Sequence, residues 1–81
     1  MSGLMSPLDP PREEVDRCIL LYNQRKLEEL VVFGKNLAER YKESEILYEI
    51  LGAAYLNLGE EDKTIEAYQR LLSLNPKHQA F

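Results

Sequence analysis

Tryptophan is absent from this chain, histidine and cysteine occur once each, and the 10 basic residues are outnumbered by 14 acidic ones. Each scarcity removes a class of function. A single cysteine forms no internal disulfide, which fits a reducing compartment, so a cytoplasmic location is expected. One histidine and one cysteine do not make a ligand set, so no metal is expected. There is no glycine-rich phosphate loop and no nucleophile–histidine–acid set; the chain is expected to carry no cofactor and not to be an enzyme. A net charge of −4 is the wrong sign for phosphate contacts or an anionic membrane face. Neither nucleic acid nor membrane is an expected partner. The apolar run from Cys18 to Leu21 falls far short of the ~20 residues that span a bilayer. Residues 1–11 have no charged or apolar stretch of the kind a signal peptide needs. No segment alternates with period two for long enough to argue a strand.

What the sequence does have is helical periodicity. Its 81 residues, 44% hydrophobic and 30% charged, fit one small soluble domain. Residues 1–9 lack a period and are expected to form a disordered lead ending in Asp9, an N-cap for a helix opened by Pro10-Pro11. Four helices are expected, over roughly 10–23, 26–41, 44–58 and 61–74. The first carries Val15, Cys18, Ile19 and Tyr22 at i, i+3, i+4, i+7, with Leu20 and Leu21 widening the stripe. The second sets Leu27, Leu30, Val31, Gly34, Leu37, Ala38 and Tyr41 on one face. There Gly34, which costs ~1 kcal/mol against alanine, is expected to admit a close neighbour. Ser44 is the expected cap of the third helix, whose stripe is Leu47, Leu51, Ala54, Tyr55 and Leu58. Gly59 is its left-handed terminator. The fourth helix is expected to bury Thr64, Ile65, Tyr68, Leu71 and Leu72, and Pro76 ends it. Short connections make the helices antiparallel neighbours.

Several residues invite a chemical reading and have a plainer one. Cys18 sits in an apolar run and is expected to pack there as a small hydrophobe. His78 is expected to be solvent-exposed. The carboxylate pairs Glu13/Glu14 and Glu28/Glu29 and the trio Glu60/Glu61/Asp62 fall where helices start, where they complement the helix dipole.

Shifted against itself so that Leu21 falls on Tyr55, the chain also places Asn23 on Asn57, Arg25 on Gly59, Val31 on Ile65 and Leu37 on Leu71. A helix–turn–helix unit with that period resembles a tetratricopeptide repeat. Residues 45–78 resemble a complete repeat. Tyr48 stands where the family prefers tryptophan, followed by Leu51-Gly52, Tyr55, the turn glycine Gly59, Tyr68 and the terminal Pro76. Glu61, Thr64 and Leu71 depart from the pattern. Residues 10–44 resemble a divergent first unit: Glu14, Arg17 and Cys18 replace its tryptophan, leucine and glycine, while Leu27, Leu30 and Leu37 fit. Residues 79–81 would begin a further element.

The resemblance implies an all-α fold of two antiparallel hairpins stacked as a right-handed solenoid, and a non-catalytic scaffold for protein–protein interaction. In this family the first helix of each hairpin lines a concave face that receives a peptide or helix. By that resemblance Val15, Ile19, Tyr22 and Asn23, with Ile46, Glu49, Ala53, Leu56 and Asn57, are the candidate partner-binding residues. Glu49 and Ala53 occupy places where carboxylate-clamping members carry lysine and asparagine, which disfavours that class of ligand. Ile65, Tyr68 and Leu72 form a candidate self-association face, because a following repeat would cover them; a homo-oligomer is the corresponding expectation. Residues 10–59 also resemble the leading repeats of bacterial arrays joined to glycosyltransferases. An accessory region of a larger enzyme is therefore a further reading.

Overall fold

The computed structural model describes residues 7–76, among which there are four α-helices and no strand. They are α1 (Arg12–Asn23), α2 (Leu27–Arg40), α3 (Glu45–Leu58) and α4 (Glu61–Leu74). Each helix packs on the next, and α1 also touches α3. The connections hold two to four residues, so consecutive helices run antiparallel. The boundaries agree with the periodicity to within about two residues.

Helix α3 is the centre of the fold. It buries five residues (Leu47, Leu51, Gly52, Ala54 and Tyr55), whereas each of the others buries three. One core cluster joins α1, α2 and α3 through Cys18, Leu21, Leu30, Leu37, Leu47 and Ala54. The other joins α3 to α4 through Leu51, Tyr55 and Ala67. Two glycines make close approach possible. A Cβ on Gly34 of α2 would lie 2.9 Å from Leu51 Cδ2 of α3, and one on Gly52 would lie 2.6 Å from the Tyr68 ring of α4. The expected role of Gly34 is thus seen in the packing.

Both hairpins end their first helix in the same way. In α1 the Lys26 N–H donates to the Leu21 carbonyl at 2.9 Å and the Arg25 N–H to that of Tyr22 at 3.0 Å. In α3 the Glu60 N–H donates to Tyr55 at 3.0 Å and the Gly59 N–H to Leu56 at 3.1 Å. Every participant in one closure matches its counterpart in the other under the shift that sets Leu21 on Tyr55. The residue in the left-handed region is Gly59 at φ 78° in one and Arg25 at φ 62° in the other. The crossed pair of bonds is a Schellman closure, which requires that conformation.

Three expectations are corrected. Asp9 does not cap α1, whose first turn is held by the Pro11 carbonyl accepting from Glu14 and Val15 without any side-chain cap. Asp9 Oδ1 instead accepts a 2.6 Å hydrogen bond from the Ser44 hydroxyl, 35 residues away. Ser44 is fully buried and also caps α3, accepting from the Leu47 N–H at 3.4 Å. Residues 1–6 of the expected lead lie outside the described residues, as do 77–81, including His78. On α1, Ile19 and Leu20 are 43% and 54% exposed; the buried side is Val15, Cys18 and Leu21. On α4 the buried stripe is Thr64, Ala67 and Leu71, leaving Ile65 and Leu72 exposed. Outer helices meet fewer neighbours than α3, so they bury a stripe narrower than their apolar residues could supply.

Candidate functional site

The acidic clusters stand in or beside helix first turns, as expected: Glu13 and Glu14 on α1, Glu28 and Glu29 on α2, Glu61 and Asp62 on α4, with Glu60 just ahead. No group of His, Cys, Asp or Glu among the described residues is arranged to hold a metal ion. Cys18 is fully buried in the core. Burial, with the Glu14 charge adding and Arg17 opposing, pushes its thiol from 9.0 up to about 11. Thiolate is the reactive form, so this cysteine is held in its inert state.

On the face expected to bind, the structure forms a groove of about 270 Å³ between α1 and α3, lined by Ile19, Tyr22, Glu49, Ile50 and Ala53. Helical geometry puts them there. Ile19, exposed, and Tyr22, half-buried at the edge of the core, are one turn apart on α1, and Glu49 and Ala53 are one turn apart on α3. Ala53 is the smallest lining residue, and the two isoleucines make the lining apolar.

One end is closed by a polar bridge between the hairpins. The Asn57 amide donates to the Tyr22 hydroxyl at 3.0 Å and to its own helix at the Ala53 carbonyl, 2.8 Å. Arg25 reaches the Asn57 oxygen at 3.5 Å, with its guanidinium 5.9 Å from the Tyr22 ring centre. Beyond the lining, Tyr68 of α4 sets its ring over Gly52. Its hydroxyl is held above the ordinary tyrosine value by burial first, then by the Glu49 charge and by Tyr22. Gly52 therefore does more than admit a helix. It lets the ring of an α4 side chain lie directly against the α3 backbone.

Of the nine residues expected to bind a partner, Ile19, Tyr22, Glu49 and Ala53 meet in the groove, and Asn57 closes its end. Leu56 is 63% exposed and Asn23 exposed, outside the lining, while Ile46 is half-buried. Val15, at 3% exposure, belongs to the core and offers no surface. Ile50 was not among the expected residues, although Ile46, Ile50, Ala53 and Asn57 are spaced i, i+4, i+7, i+11. Its neighbours Leu47 and Leu51 both belong to the buried stripe, which hid it. Tyr68, expected on an outer face with Ile65 and Leu72, is half-buried and turned to Gly52. The glycine at position 52, a gap in the α3 surface, was the signal for that.

Chemically, the groove lining offers apolar walls, the Tyr22 hydroxyl, which accepts from the Asn57 amide, and the Glu49 carboxylate. An apolar wall beside a carboxylate can hold an aliphatic side chain next to a basic one. No protein-family model, curated protein or solved structure matches the chain.

Proposed function

We propose that this chain is a tetratricopeptide-type interaction module that receives a segment of a partner protein in the α1–α3 groove. The observation that carries the reading is the groove itself: Ile19, Tyr22, Ile50 and Ala53 make an apolar trough, with Glu49 supplying charge at its edge. An aliphatic side chain fits those walls, and a neighbouring lysine or arginine meets the carboxylate. The Schellman closures, repeated at the same interval as the apolar pattern, support the repeat assignment.

The test is selection of peptides from a random library on the immobilised protein. The enriched peptides should pair an aliphatic residue with a basic one. Ala53→Arg, which fills the trough, and Glu49→Lys, which reverses its charge, should each weaken them at least tenfold without loss of helical circular dichroism. Enriched peptides that bind both variants at wild-type strength would sink the reading.

A second reading, self-association, has its own support in Ile65 and Leu72, 49% and 36% exposed and two turns apart on α4. Sedimentation equilibrium decides it. An oligomer that Ile65→Ser and Leu72→Ser dissolve favours this reading; a monomer across the concentration range removes it.

A further inference from the structure

We propose that a second groove, between α2 and α4, docks an extended acidic segment of a partner protein. Both helices run antiparallel to α3 and therefore parallel to each other, and α3 forms the floor between them. The space measures about 470 Å³. Leu51 and Tyr55 of α3, with Ala38 and Ala67 from the flanks, make the floor apolar. The rims are basic: Lys35 and Lys42 on the α2 side, Lys63 and Arg70 on α4. The groove thus gathers four of the chain's 10 basic residues and only two of its 14 acidic ones, Glu39 and Glu66. In a protein of net charge −4 this is a segregated positive surface.

One end of the groove is built. Arg70 donates to the Lys42 carbonyl at 3.2 Å, and its guanidinium stands 5.8 Å from the centre of the Tyr48 ring. The Tyr48 hydroxyl donates to the same carbonyl at 3.1 Å. That carbonyl is at the α2–α3 corner, so the three elements meet there with a guanidinium held in place. Lys42 itself donates to the Glu39 carbonyl oxygen of the backbone at 2.6 Å. Lys35 and Lys63 have no hydrogen-bond or ion-pair partner among the described residues. Exposed cations that could have paired with Glu39 or Glu66 are left available.

The spacing specifies the occupant. The cations on each rim are seven residues apart, which along α4 is about 10 Å. A peptide extended in the polyproline-II form, at about 3.1 Å per residue and three residues per turn, covers that length in about three residues and brings its side chains back to the same face. Glu39 and Glu66 fall between the cations of their rims, so the middle of the occupant must be uncharged and the floor there suits an aliphatic side chain. The fitting segment carries carboxylates three residues apart with an apolar residue between.

The experiment uses the whole chain and the blocked peptide Ser-Glu-Leu-Ala-Glu-Ser, with a glutamine-for-glutamate version as its partner. Titration followed by amide NMR should shift Lys35, Ala38, Leu51, Ala67 and Arg70, and the glutamine peptide should bind at least tenfold more weakly. The double variant Lys35→Glu, Lys63→Glu should also bind about tenfold more weakly. Lys26→Glu, a charge change in the α1–α2 turn outside the groove, should bind as wild type; helical circular dichroism checks that each variant folds. The proposal is overturned by any of four results: no shift at millimolar peptide, equal binding of the glutamine peptide, shifts confined to α1 and α3, or displacement by inorganic phosphate at equal charge. Self-association abolished by Lys35→Glu would also overturn it, since a second copy would then be the occupant.

Discussion

Position 25 in the first hairpin and position 59 in the second carry the same backbone turn, yet one is arginine and the other glycine. The two hairpins differ in a second, reciprocal way. Under the same shift, the counterpart of Gly52 is Cys18 and the counterpart of Tyr68 is Gly34. In the second hairpin a large ring on its second helix covers a glycine on its first. In the first hairpin the second helix carries the glycine, and Leu51 of the following hairpin comes in over it. The exchange shows how two hairpins with matching turns come to pack differently. The second is keyed to itself through Gly52 and Tyr68, while the first is keyed to its neighbour through Gly34 and Leu51.

The largest effect should come from a matched pair of buried leucines, Leu37 of α2 and Leu71 of α4, both fully buried and equivalent under that shift. Truncation to alanine leaves a cavity whose cost depends on how far the surroundings can close. Leu37 lies in the cluster shared by three helices, and α4 packs on α3 alone. Urea unfolding should show Leu37→Ala losing about 3–5 kcal/mol and Leu71→Ala about 2–3 kcal/mol. Equal losses would mean that α4 is as enclosed as α2.

Next in size are the two glycines. In Gly52→Ala the new Cβ meets Tyr68 Cε1 and Cζ at 2.6 and 2.7 Å, so the whole ring must move, and a loss of about 1–3 kcal/mol is expected. Gly34→Ala meets the end of one leucine branch at 2.9 Å and gains up to ~1 kcal/mol of helix propensity, so it should be near neutral. The reverse order would contradict the keyed packing described above.

Ser44→Ala removes both the α3 cap and the partner of Asp9, and should cost about 1–2 kcal/mol. A double-mutant cycle with Asp9→Ala isolates the 2.6 Å bond. Additive losses would show that the tie contributes nothing. The smallest pair changes sign between hairpins. Arg25→Gly relieves a left-handed residue with a side chain and should stabilise by about 1 kcal/mol; Gly59→Ala introduces one and should destabilise by about as much.

How far the chain was readable follows from which forces act locally. The α2 stripe Leu27, Leu30, Val31, Gly34, Leu37, Ala38 and Tyr41 was legible, because α2 packs against both α1 and α3 and uses its periodic pattern, while Phe33, which packs against the core from beside the stripe, was not. The Ser44 cap and the Gly59 terminator were equally legible, each depending on one side chain or its absence. Helix α4 was readable in extent but not in facing. Ala67, a small residue with little apolar signal, is buried, while Ile65 and Leu72 are exposed. The site shows the same division. Ile19, Tyr22, Glu49 and Ala53 were named through the resemblance to a helical-repeat family, whereas Ile50 joins the lining, and Tyr68 lies over Gly52, only because of how neighbouring helices lie.

By itself, then, the sequence determined four helices, their ends and the pairing of their neighbours, since capping, glycine turns and short connections act over a few residues. Only the tertiary structure decided which apolar residues stay in water, where Asp9 is tied, and that the Tyr68 ring lies over Gly52. Those outcomes depend on contacts between elements far apart in the chain, and a helical period records a face without recording what lies against it.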